Sequence, residues 1–399
     1  MHALEPAVLA PTEVDEARMG RDRLLRTQQL LREHQLPAVL LCDPVNVRYA
    51  TVGGPFPVFN LHNTFRWALV PAESAPVLWE YPQSLLTTAA RWNGDVRPAT
   101  GWTFFGSGSR DVAAAARFAG EVVAELEERG LAGGPVGVDR LETGGHLALA
   151  RAGVHVVDAQ PAMERARAVK TCDELTALRA NARVCDQGIE ELRTLLRPGV
   201  SENELWAALV GFAFARGAEW CETRLLSSGP RTNPWMQEAT GRLVRDGDLV
   251  AFDTDLVGRH GYLTDVSRTY LCGDRRPRDE QRRLHQVAHD FLHTCLPEIR
   301  PGRSFEELGR RLGPLLPEEF RAQRYPFIAH GTGLVDEYPC VNFVDHHEGE
   351  VEVGMVLSVE SYVGTVGGAE GVKLEEQVVV TPDGPELLSA APFEERLLC

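Results

Sequence analysis

Residues 248–271, DLVAFDTDLVGRHGYLTDVSRTYL, decide how the C-terminal part of the chain is interpreted. Two apolar runs rich in Val, Leu and Tyr, at 249–257 and 262–271, flank the sequence Gly-Arg-His-Gly. Glycines permit a tight reversal between such runs. The stretch therefore predicts a β-hairpin with a short turn.

Three aspartates interrupt the apolar runs of this hairpin. Alternation along the first arm places Asp253 and Asp255 on one face, and Asp265 lies on the returning arm, so the three carboxylates can approach one another. Carboxylates that close repel and cannot all stay ionised in a partly buried sheet unless a cation lies among them. The alternative is a solvated strand face, but such aspartates usually stand between polar neighbours. We therefore expect a cation site.

A second acidic hairpin is predicted near the C-terminus, in GMVLSVESYVGTVGGAEGVKLEEQVVVT at 354–381. Strand-like runs at 354–363 and 371–381 flank a glycine-rich turn, and Glu360 and Glu375 occupy the two arms. The chain thus repeats the arrangement of the first hairpin, which favours two acidic hairpins that face each other.

One histidine lies between the two hairpins in sequence. In FIAHGTGLVDEYP, His330 precedes a Gly-Thr-Gly bend and can project from a strand end. A site with many carboxylates and one imidazole suits two neighbouring divalent ions of manganese, iron, cobalt or zinc better than a structural zinc. The candidate metal ligands are Asp253, Asp255, Asp265, His330, Glu360 and Glu375.

These motifs resemble the pita-bread metallopeptidase family of methionine aminopeptidase, aminopeptidase P, prolidase and creatinase. In that family a dinuclear metal centre is held by Asp, Asp, His, Glu and Glu in this chain order, within stretches similar to FDTD, GYLTDVSRT, HGTGL, VESY and KLEEQVVV. The resemblance covers roughly 165–399. DPVNVRYATVGG, near Asp43, resembles the start of the N-terminal domain of the prolidase and creatinase members.

The first ligand departs from the family pattern. The family usually separates its two aspartates by eleven residues, whereas Asp253 and Asp255 lie twelve and ten residues before Asp265. An aspartate thus stands where a glycine is common. The resemblance therefore implies that Asp253, Asp255 or both bind metal.

Length and composition indicate a globular protein of two domains. The chain has 399 residues, and 44% of them are hydrophobic, which is enough for sizeable cores. A formal charge of −16 argues against a nucleic-acid partner, because phosphate binding needs a basic surface. Neither a long uncharged apolar run nor a signal-peptide core is found, so we expect no membrane partner and a cytoplasmic enzyme. The scattered spacing of the eight cysteines favours reduced thiols.

We expect an α/β domain at 1–160 and an α+β pita-bread catalytic domain at 161–399. Periodicity in the first domain predicts a mixed sheet with helices on its faces. Its predicted helices are 15–35 and 112–129, and its predicted strands are PAVLLCD, 65–70, 76–80, 136–138 and 154–157. In the second domain we predict one long amphipathic helix at 165–196 and a second helix at 202–216, with Ser201 as its N-cap.

A loop of the first domain predicts a homodimer. Its aromatic side chains would be costly in water, and in the resembling enzymes this region packs against a partner. The aromatic residues are Phe56, Phe59, Phe65 and Trp67. The polar residues Asn60, His62 and Asn63, together with Trp67, either reach a neighbouring subunit's site or form a solvated loop.

Two further groups of histidines are interpreted as solvated side chains and not as metal ligands. His285, His289 and His293 recur every four residues on a predicted helix, and their polar neighbours indicate a solvated face rather than a second metal site. His346-His347, in an acidic loop, is interpreted in the same way.

Two metal ions that share a water molecule lower its pKa and polarise the substrate, which is the logic of metal-assisted hydrolysis. A neighbouring acid or base must still move protons. The peptidase members of the family use histidines for this work, but here Pro326 and Glu337 stand at two of those places and Trp235-Met236-Gln237 replaces the third. The ligand set is complete, whereas the peptide-handling histidines are absent.

One branch of the fold lacks the same histidines, namely the metal-dependent dimethylsulfoniopropionate lyases. The similar features are the Asp-Thr-Asp doublet, GPRTNPW, Tyr325 five residues before His330 and Asp336 six residues after it. This resemblance implies that Asp336 removes an α-proton while the metals hold the substrate carboxylate and stabilise the developing enolate. Alternatively, Asp336 caps the Asp-Glu-Tyr-Pro turn.

The expected function is therefore a metal-dependent Xaa-Pro dipeptidase or aminopeptidase-like hydrolase that acts on a small molecule or short peptide. The alternative is a C–S lyase of the dimethylsulfoniopropionate type with Asp336 as the base. A binding protein without catalysis is disfavoured because every ligand is retained. The candidate catalytic residues are Asp336, Glu337, Tyr325 and Glu360.

Overall fold

The computed structural model describes residues 14–51 and 57–398. The chain divides into two compact units, an N-terminal unit of Asp15–Arg167 and a C-terminal unit built on Ala168–Cys399. The division thus falls a few residues after the boundary that the sequence predicts at 160. Phe56 and Cys399 lie outside the described residues.

The N-terminal unit is a mixed sheet with helices, as predicted. Its strand order is β4-β3-β2-β1-β5-β6, in which β1 pairs with β2 and β2 with β3 in antiparallel fashion, while the other three pairings are parallel. The strands are β1 (Ala38–Leu41), β2 (Trp67–Pro71), β3 (Val77–Glu80), β4 (Asp95–Pro98), β5 (Pro135–Val138) and β6 (His155–Asp158). The helices are α1 (Glu16–Glu33), α2 (Pro44–Ala50), α3 (Pro57–His62), α4 (Leu85–Arg91), α5 (Phe104–Ser107), α6 (Asp111–Glu128), α7 (Thr143–Arg151) and α8 (Gln160–Ala168).

Trp67 belongs to the core of this unit. It lies on β2 with no exposed surface and stacks on Trp79 with ring centroids 3.9 Å apart. The edge of Phe118 on α6 meets its ring at 5.0 Å. The expectation that Trp67 faces a partner subunit is therefore wrong, because β2 is the third strand from one sheet edge and is buried on both faces. Asn60 and His62 lie on α3 rather than in a loop.

The C-terminal unit is built of three antiparallel sheets with helices, in the orders β11-β10-β7, β12-β9-β8 and β14-β13-β15-β16-β17. Its helices are α9 (Cys172–Leu195), α10 (Glu202–Phe214), α11 (Asp279–Cys295) and α12 (Phe305–Leu312). Its strands are β7 (Trp220–Cys221), β8 (Leu226–Ser228), β9 (Leu249–Asp253), β10 (Leu256–Val257), β11 (Leu263–Thr264), β12 (Ser267–Leu271), β13 (Phe327–Thr332), β14 (Asp336–Asn342), β15 (Val356–Val363), β16 (Val372–Thr381) and β17 (Gly384–Leu387).

Both predicted hairpins are found. In the first, β9 pairs with β12 and β10 pairs with β11, so its two arms pass from one sheet to another as a pair. In the second, β15 pairs with β16 and places Glu360 directly opposite Glu375. The apolar runs and the glycine-containing turns therefore predicted the pairing of both hairpins, and the structure adds the register of the acidic residues.

The single helix predicted at 165–196 is wrong, because α8 ends at Ala168 and α9 begins at Cys172. Between them, Val169 forms a β-bridge with Met355, and the Lys170 backbone N–H donates to the Gly354 carbonyl oxygen at 2.9 Å. Thr171 then restarts the helix with a capping box that it shares with Glu174. Ser201 caps α10 as predicted.

The predicted solvated face of histidines on α11 is also partly wrong. His285 is fully buried, and burial lowers the pKa of its imidazole to about 4. His289 and His293 stack on each other with centroids 3.8 Å apart. The helix packs its His285 side against β15 and β16, so the four-residue repeat runs from the core to the surface. No disulfide joins the described cysteines.

None of the helices within 14–51 and 57–398 combines the length and the apolar composition that crossing a bilayer requires.

Candidate metal centre

The first hairpin gathers three buried carboxylates. Asp253 ends β9, Asp255 lies between β9 and β10, and Asp265 lies between β11 and β12. Each offers an oxygen within 4.8 Å of the others. The backbone at Asp255 has a φ of +37°, in a region that Asp tolerates better than most residues. The carboxylates therefore converge because the strands end and turn here, and simple alternation along one continuous strand does not describe the arrangement.

His330 joins this group to the second hairpin. Its Nε2 atom lies 3.3 Å from Asp265 Oδ2, 3.5 Å from Glu360 Oε1 and 3.7 Å from Glu375 Oε1. Asp265, His330 and Glu375 form a second group of potential ligands, so Asp265 belongs to both groups. The structure thus brings together all six predicted ligands, which we call the acidic centre: Asp253, Asp255, Asp265, His330, Glu360 and Glu375.

A buried lysine lies inside the acidic centre, and the sequence analysis missed it. Lys373 Nζ lies 3.0 Å from Asp253 Oδ2, 2.8 Å from Glu360 Oε2 and 2.7 Å from Glu375 Oε2. Alternation could have found it, because it stands two residues before Glu375 and so shares that face of β16. With five carboxylates ionised and one ammonium, the centre carries a formal charge of −4, which two divalent ions would neutralise.

Burial perturbs the carboxyl groups strongly. It raises the pKa of Asp253 and of Glu360 to about 7, and it raises the pKa of Asp265 well above its usual range. Burial acts in the same direction on Glu375, but Lys373 and His330 outweigh it and hold the pKa of Glu375 below its usual range. These carboxyl groups therefore compete for positive charge.

The donor atoms fit divalent cations. Three buried carboxylate oxygens of the acidic centre have no hydrogen-bond partner: Asp253 Oδ1, Asp265 Oδ1 and Glu375 Oε1. A buried, unpaired carboxylate oxygen is costly, and a cation among these atoms would satisfy all three. An oxygen-rich set with one imidazole suits manganese, iron, cobalt or zinc. The assignment of each residue as a ligand stays a prediction.

Metal affinity should fall as the pH falls below about 7. Metal binds the ionised carboxylates, so protons must leave Asp253 and Glu360, whose pKa values are about 7. At pH 6, one unit below these values, protonation should lower the affinity by about tenfold or more. Titration of free Mn²⁺ by electron paramagnetic resonance at pH 8, 7 and 6 measures this. Equal affinity at pH 8 and pH 6 would contradict it.

The stability of the metal-free protein should change with pH in the opposite direction to the metal affinity. These raised pKa values mean that the folded protein binds protons that the unfolded chain has released, so its free energy of unfolding should decrease as the pH rises from about 4 to about 7.

Asp336 lies at the open rim of the acidic centre. Its side chain is 55% exposed, and its Oδ1 atom lies 3.5 Å from His330 Nδ1. The Asp336 backbone N–H donates to Glu222 Oε2 at 3.3 Å. Burial, and then the charge of Asp336, raise the pKa of Glu222 to about 8. No local sequence pattern distinguishes Glu222 as a residue of the site.

Glu337 points to another part of the unit. Its Oε1 atom accepts a hydrogen bond of 2.7 Å from Lys170 Nζ, and both side chains are almost completely buried. A carboxylate held in this way is poorly suited to move protons, although Glu337 is one of the candidate catalytic residues of the sequence.

Aromatic side chains form one wall of the site. Trp235 Nε1 donates to the Tyr325 hydroxyl at 2.5 Å, and Met236 Sδ lies 3.5 Å from that hydroxyl. The Tyr325 ring lies over Lys373 Nζ, 4.9 Å from its centroid. The ring of Phe327 meets that of His330 at 5.1 Å. Trp235, at the end of the GPRTNPW stretch, therefore reaches the acidic centre through the ring of Tyr325.

Two family models match the chain. The model of metallopeptidase family M24 matches residues 176–382, and that of the creatinase/prolidase N-terminal domain matches residues 23–169. These are the regions in which the sequence analysis placed the two parts of the resemblance.

Curated relatives cover nearly the whole chain. Dimethylsulfoniopropionate lyase DddP of Roseovarius nubinhibens is 36% identical over 395 residues, which are 96% of this chain and 88% of that protein. The protein of the same name from Roseobacter denitrificans is 34% identical over the same shares. The uncharacterized peptidase YqhT of Bacillus subtilis is 27% identical and covers 60% of this chain and 67% of its own.

Solved structures show the same fold. The Xaa-Pro dipeptidase from Bacillus anthracis superposes with a TM-score of 0.78 at 21% identity and covers 94% of this chain and 99% of its own. The prolidase from Pyrococcus horikoshii superposes with a TM-score of 0.74 at 20% identity and covers 94% and 99%. At these identities the similarity shows the fold, which is the predicted creatinase-type N-terminal domain followed by a pita-bread domain.

Proposed function

The chain belongs to metallopeptidase family M24, and on that premise we propose that it is a metal-dependent lyase that cleaves the C–S bond of dimethylsulfoniopropionate. The acidic centre would hold two divalent ions of manganese, iron, cobalt or zinc. Asp336 would be the base that starts the reaction.

The position of Asp336 carries this proposal. Its carboxylate is at the open rim, 3.5 Å from His330, while the adjacent Glu337 is buried against Lys170. Hydrolysis of a peptide requires a proton donor for the leaving amine. Proton abstraction from carbon requires only a base beside the bound substrate, and Asp336 meets that requirement without a histidine.

The proposed reaction is an elimination. Asp336 accepts the proton from the carbon next to the substrate carboxylate, and the electron pair of that C–H bond becomes the new C=C bond. The C–S bond breaks, its electron pair leaves on sulfur, and the products are acrylate and dimethyl sulfide. Divalent ions, when bound, hold the substrate carboxylate and stabilise the negative charge that develops there.

The aromatic wall suits a cationic substrate. The sulfonium group of dimethylsulfoniopropionate is positively charged and poorly able to donate hydrogen bonds, and aromatic faces attract such cations. Trp235 and Tyr325 supply aromatic surface beside the acidic centre, and the thioether of Met236 lies next to them. These groups would contact the sulfonium group of the bound substrate.

The comparison with relatives supports the same chemistry. The two proteins that are named dimethylsulfoniopropionate lyase DddP match 96% of this chain at 36% and 34% identity. The proteins with peptidase names match at lower identity or share the fold alone.

Xaa-Pro hydrolysis stays the second candidate. The fold similarity to the dipeptidase from Bacillus anthracis and the complete acidic centre favour it. The positions of Pro326, Glu337 and Gln237 disfavour it, because none of them places a mobile proton donor at the centre; Gln237 instead donates to the Pro234 carbonyl oxygen.

The decisive test is a substrate panel. Purified protein loaded in turn with Mn²⁺, Fe²⁺, Co²⁺ or Zn²⁺ would be incubated with dimethylsulfoniopropionate and, separately, with Xaa-Pro dipeptides. Release of dimethyl sulfide with equimolar acrylate, detected by chromatography, is expected. Hydrolysis of the dipeptides without release of dimethyl sulfide would overturn the lyase assignment and support the hydrolase.

We also propose a cytoplasmic homodimer, for which the N-terminal unit supplies an aromatic surface. Phe104 and Phe105 are 72% and 77% exposed. A Cβ atom on the adjacent Gly106 would lie 2.7 Å from the ring of Phe65, which stacks with Phe59. Such a surface is costly in water. Light scattering at low micromolar concentration should give the mass of a dimer, and Phe104→Ser/Phe105→Ser should shift it toward the monomer. A fully active wild-type monomer would contradict the proposal.

A further inference from the structure

Glu337, which is adjacent to the proposed base Asp336, forms a buried ion pair that has no part in the proposed reaction. Lys170 Nζ lies 2.7 Å from Glu337 Oε1, and the two side chains are 1% and 0% exposed. The backbone of Lys170 is itself fixed, because its N–H donates to the Gly354 carbonyl oxygen at 2.9 Å. Breaking a buried pair leaves an uncompensated charge, so this pair holds Glu337 firmly in place.

The pairing of the strand that carries both acids is interrupted near its start. On β14, Asp336 pairs with Thr332 and Glu337 pairs with Gly331, but the next residue of β13, His330, pairs with Cys340. Two residues of β14 therefore bulge out of the ladder directly after Glu337. A bulge interrupts the backbone pairing that would otherwise fix the register.

A slip in this register would exchange the two acids. Successive side chains of a strand point to opposite faces, so a shift of one residue turns every side chain to the other face. With Glu337 bound to Lys170, Asp336 must face His330, 3.5 Å away. A shifted strand would present Glu337 to the acidic centre and turn Asp336 away from it.

The glycines of the preceding bend make room for this arrangement. A Cβ atom on Gly333 would lie 2.1 Å from Glu337 Oε1, and one on Gly331 would lie 2.5 Å from the Tyr338 carbonyl oxygen. The bend is thus shaped around the buried carboxylate of Glu337 and the bulge that follows it.

We propose that the Lys170–Glu337 ion pair is a positioning device that sets the register of β14 and thereby aims Asp336 at the acidic centre. This inference rests on the proposed function, because it takes Asp336 as the base. Glu337 is a positioning residue and donates no proton in the reaction.

The experiment compares Lys170→Met and Glu337→Gln with a matched control. Glu80→Gln breaks the Arg66–Glu80 pair of the N-terminal unit, which is buried to the same degree, 3% and 0% exposed, with a separation of 2.9 Å. The three variants lose one buried charge each, so their stabilities should fall to a similar extent. Glu337→Gln keeps the volume of the side chain and serves if Lys170→Met does not fold.

Two readouts separate positioning from stability. With dimethylsulfoniopropionate, the two pair variants should lose roughly 10²-fold in kcat, while KM stays within about threefold and the metal content is unchanged. The control should keep its kcat. The exchanged pair Lys170→Glu/Glu337→Lys should recover kcat to within about tenfold of wild type. An unchanged kcat in both pair variants would overturn the inference.

Hydrogen exchange gives an answer that needs no turnover. Mass spectrometry of a peptide spanning 331–342 should show exchange at least about tenfold faster in Lys170→Met than in Glu80→Gln, with no change in the strands β15 and β16. Equal exchange would overturn the inference. If wild-type protein releases no dimethyl sulfide, the proposed function fails, and the exchange result still decides whether the pair sets the register of β14.

Discussion

Asp336→Asn should lower the turnover of dimethylsulfoniopropionate by roughly 10³-fold or more, because general-base catalysis contributes on the order of 10²–10⁴-fold. The substitution keeps the size of the side chain and removes its basicity. The Asp336 backbone N–H keeps its contact with Glu222, since that bond does not involve the substituted group. Chromatographic measurement of dimethyl sulfide gives kcat, and elemental analysis and thermal melting should give wild-type values.

The same variant tests the hydrolase alternative. If the protein hydrolyses Xaa-Pro peptides, Asp336→Asn should matter little. Robust Xaa-Pro hydrolysis by Asp336→Asn protein would contradict the lyase assignment. A matched control is Asp290→Asn, which removes an exposed carboxylate from α11 and should leave turnover unchanged.

Asp265→Ala should remove bound metal and activity together. Asp265 is the residue that belongs to both groups of potential ligands, so its loss weakens both metal positions at once. Folding should survive, because the substitution removes one of several buried carboxylates that repel one another. Burial, and then the charge of Glu375, raise the pKa of Asp265 and so disfavour its ionised form. Elemental analysis of the purified variant and circular dichroism measure the two effects.

Controls distinguish a lost ligand from a lost fold. Asp139→Asn changes a buried carboxylate of the N-terminal unit, whose pKa burial raises to about 7, and should leave the metal content unchanged. His330→Ala should lose one ion more readily than both, since an imidazole can ligate only one. Full metal content in Asp265→Ala would show that the ligand assignment is wrong.

The sequence predicted the parts of the fold that depend on short-range rules. Apolar runs and glycine-containing turns predicted both hairpins and placed Glu360 and Glu375 on the two arms of the second, which the structure pairs directly. Capping preferences located the start of α10 at Ser201. The family resemblance predicted the ligand set, and the structure brings those six residues together. Each of these inferences needs only neighbouring residues or a motif of fixed order.

The structural features that the sequence did not predict depend on contacts between segments that are distant along the chain. The break at Lys170 follows from a β-bridge between Val169 and Met355, which no helical pattern reveals. The lysine in turn reaches Glu337, so a residue interpreted as a proton donor is instead one half of an ion pair. His285 is buried because β15 and β16 lie against its helix, and its polar neighbours in sequence indicated the opposite.

The wide separation of the ligands along the chain has a thermodynamic consequence. Asp253, His330 and Glu375 come from three strands or strand ends that meet only when the sheets of the C-terminal unit are complete. A ligand that binds only the folded state stabilises that state by mass action. Metal held by these ligands would therefore add to the global free energy of unfolding of this unit. In a cell with little of this metal, both the abundance of the protein and its turnover would be lower.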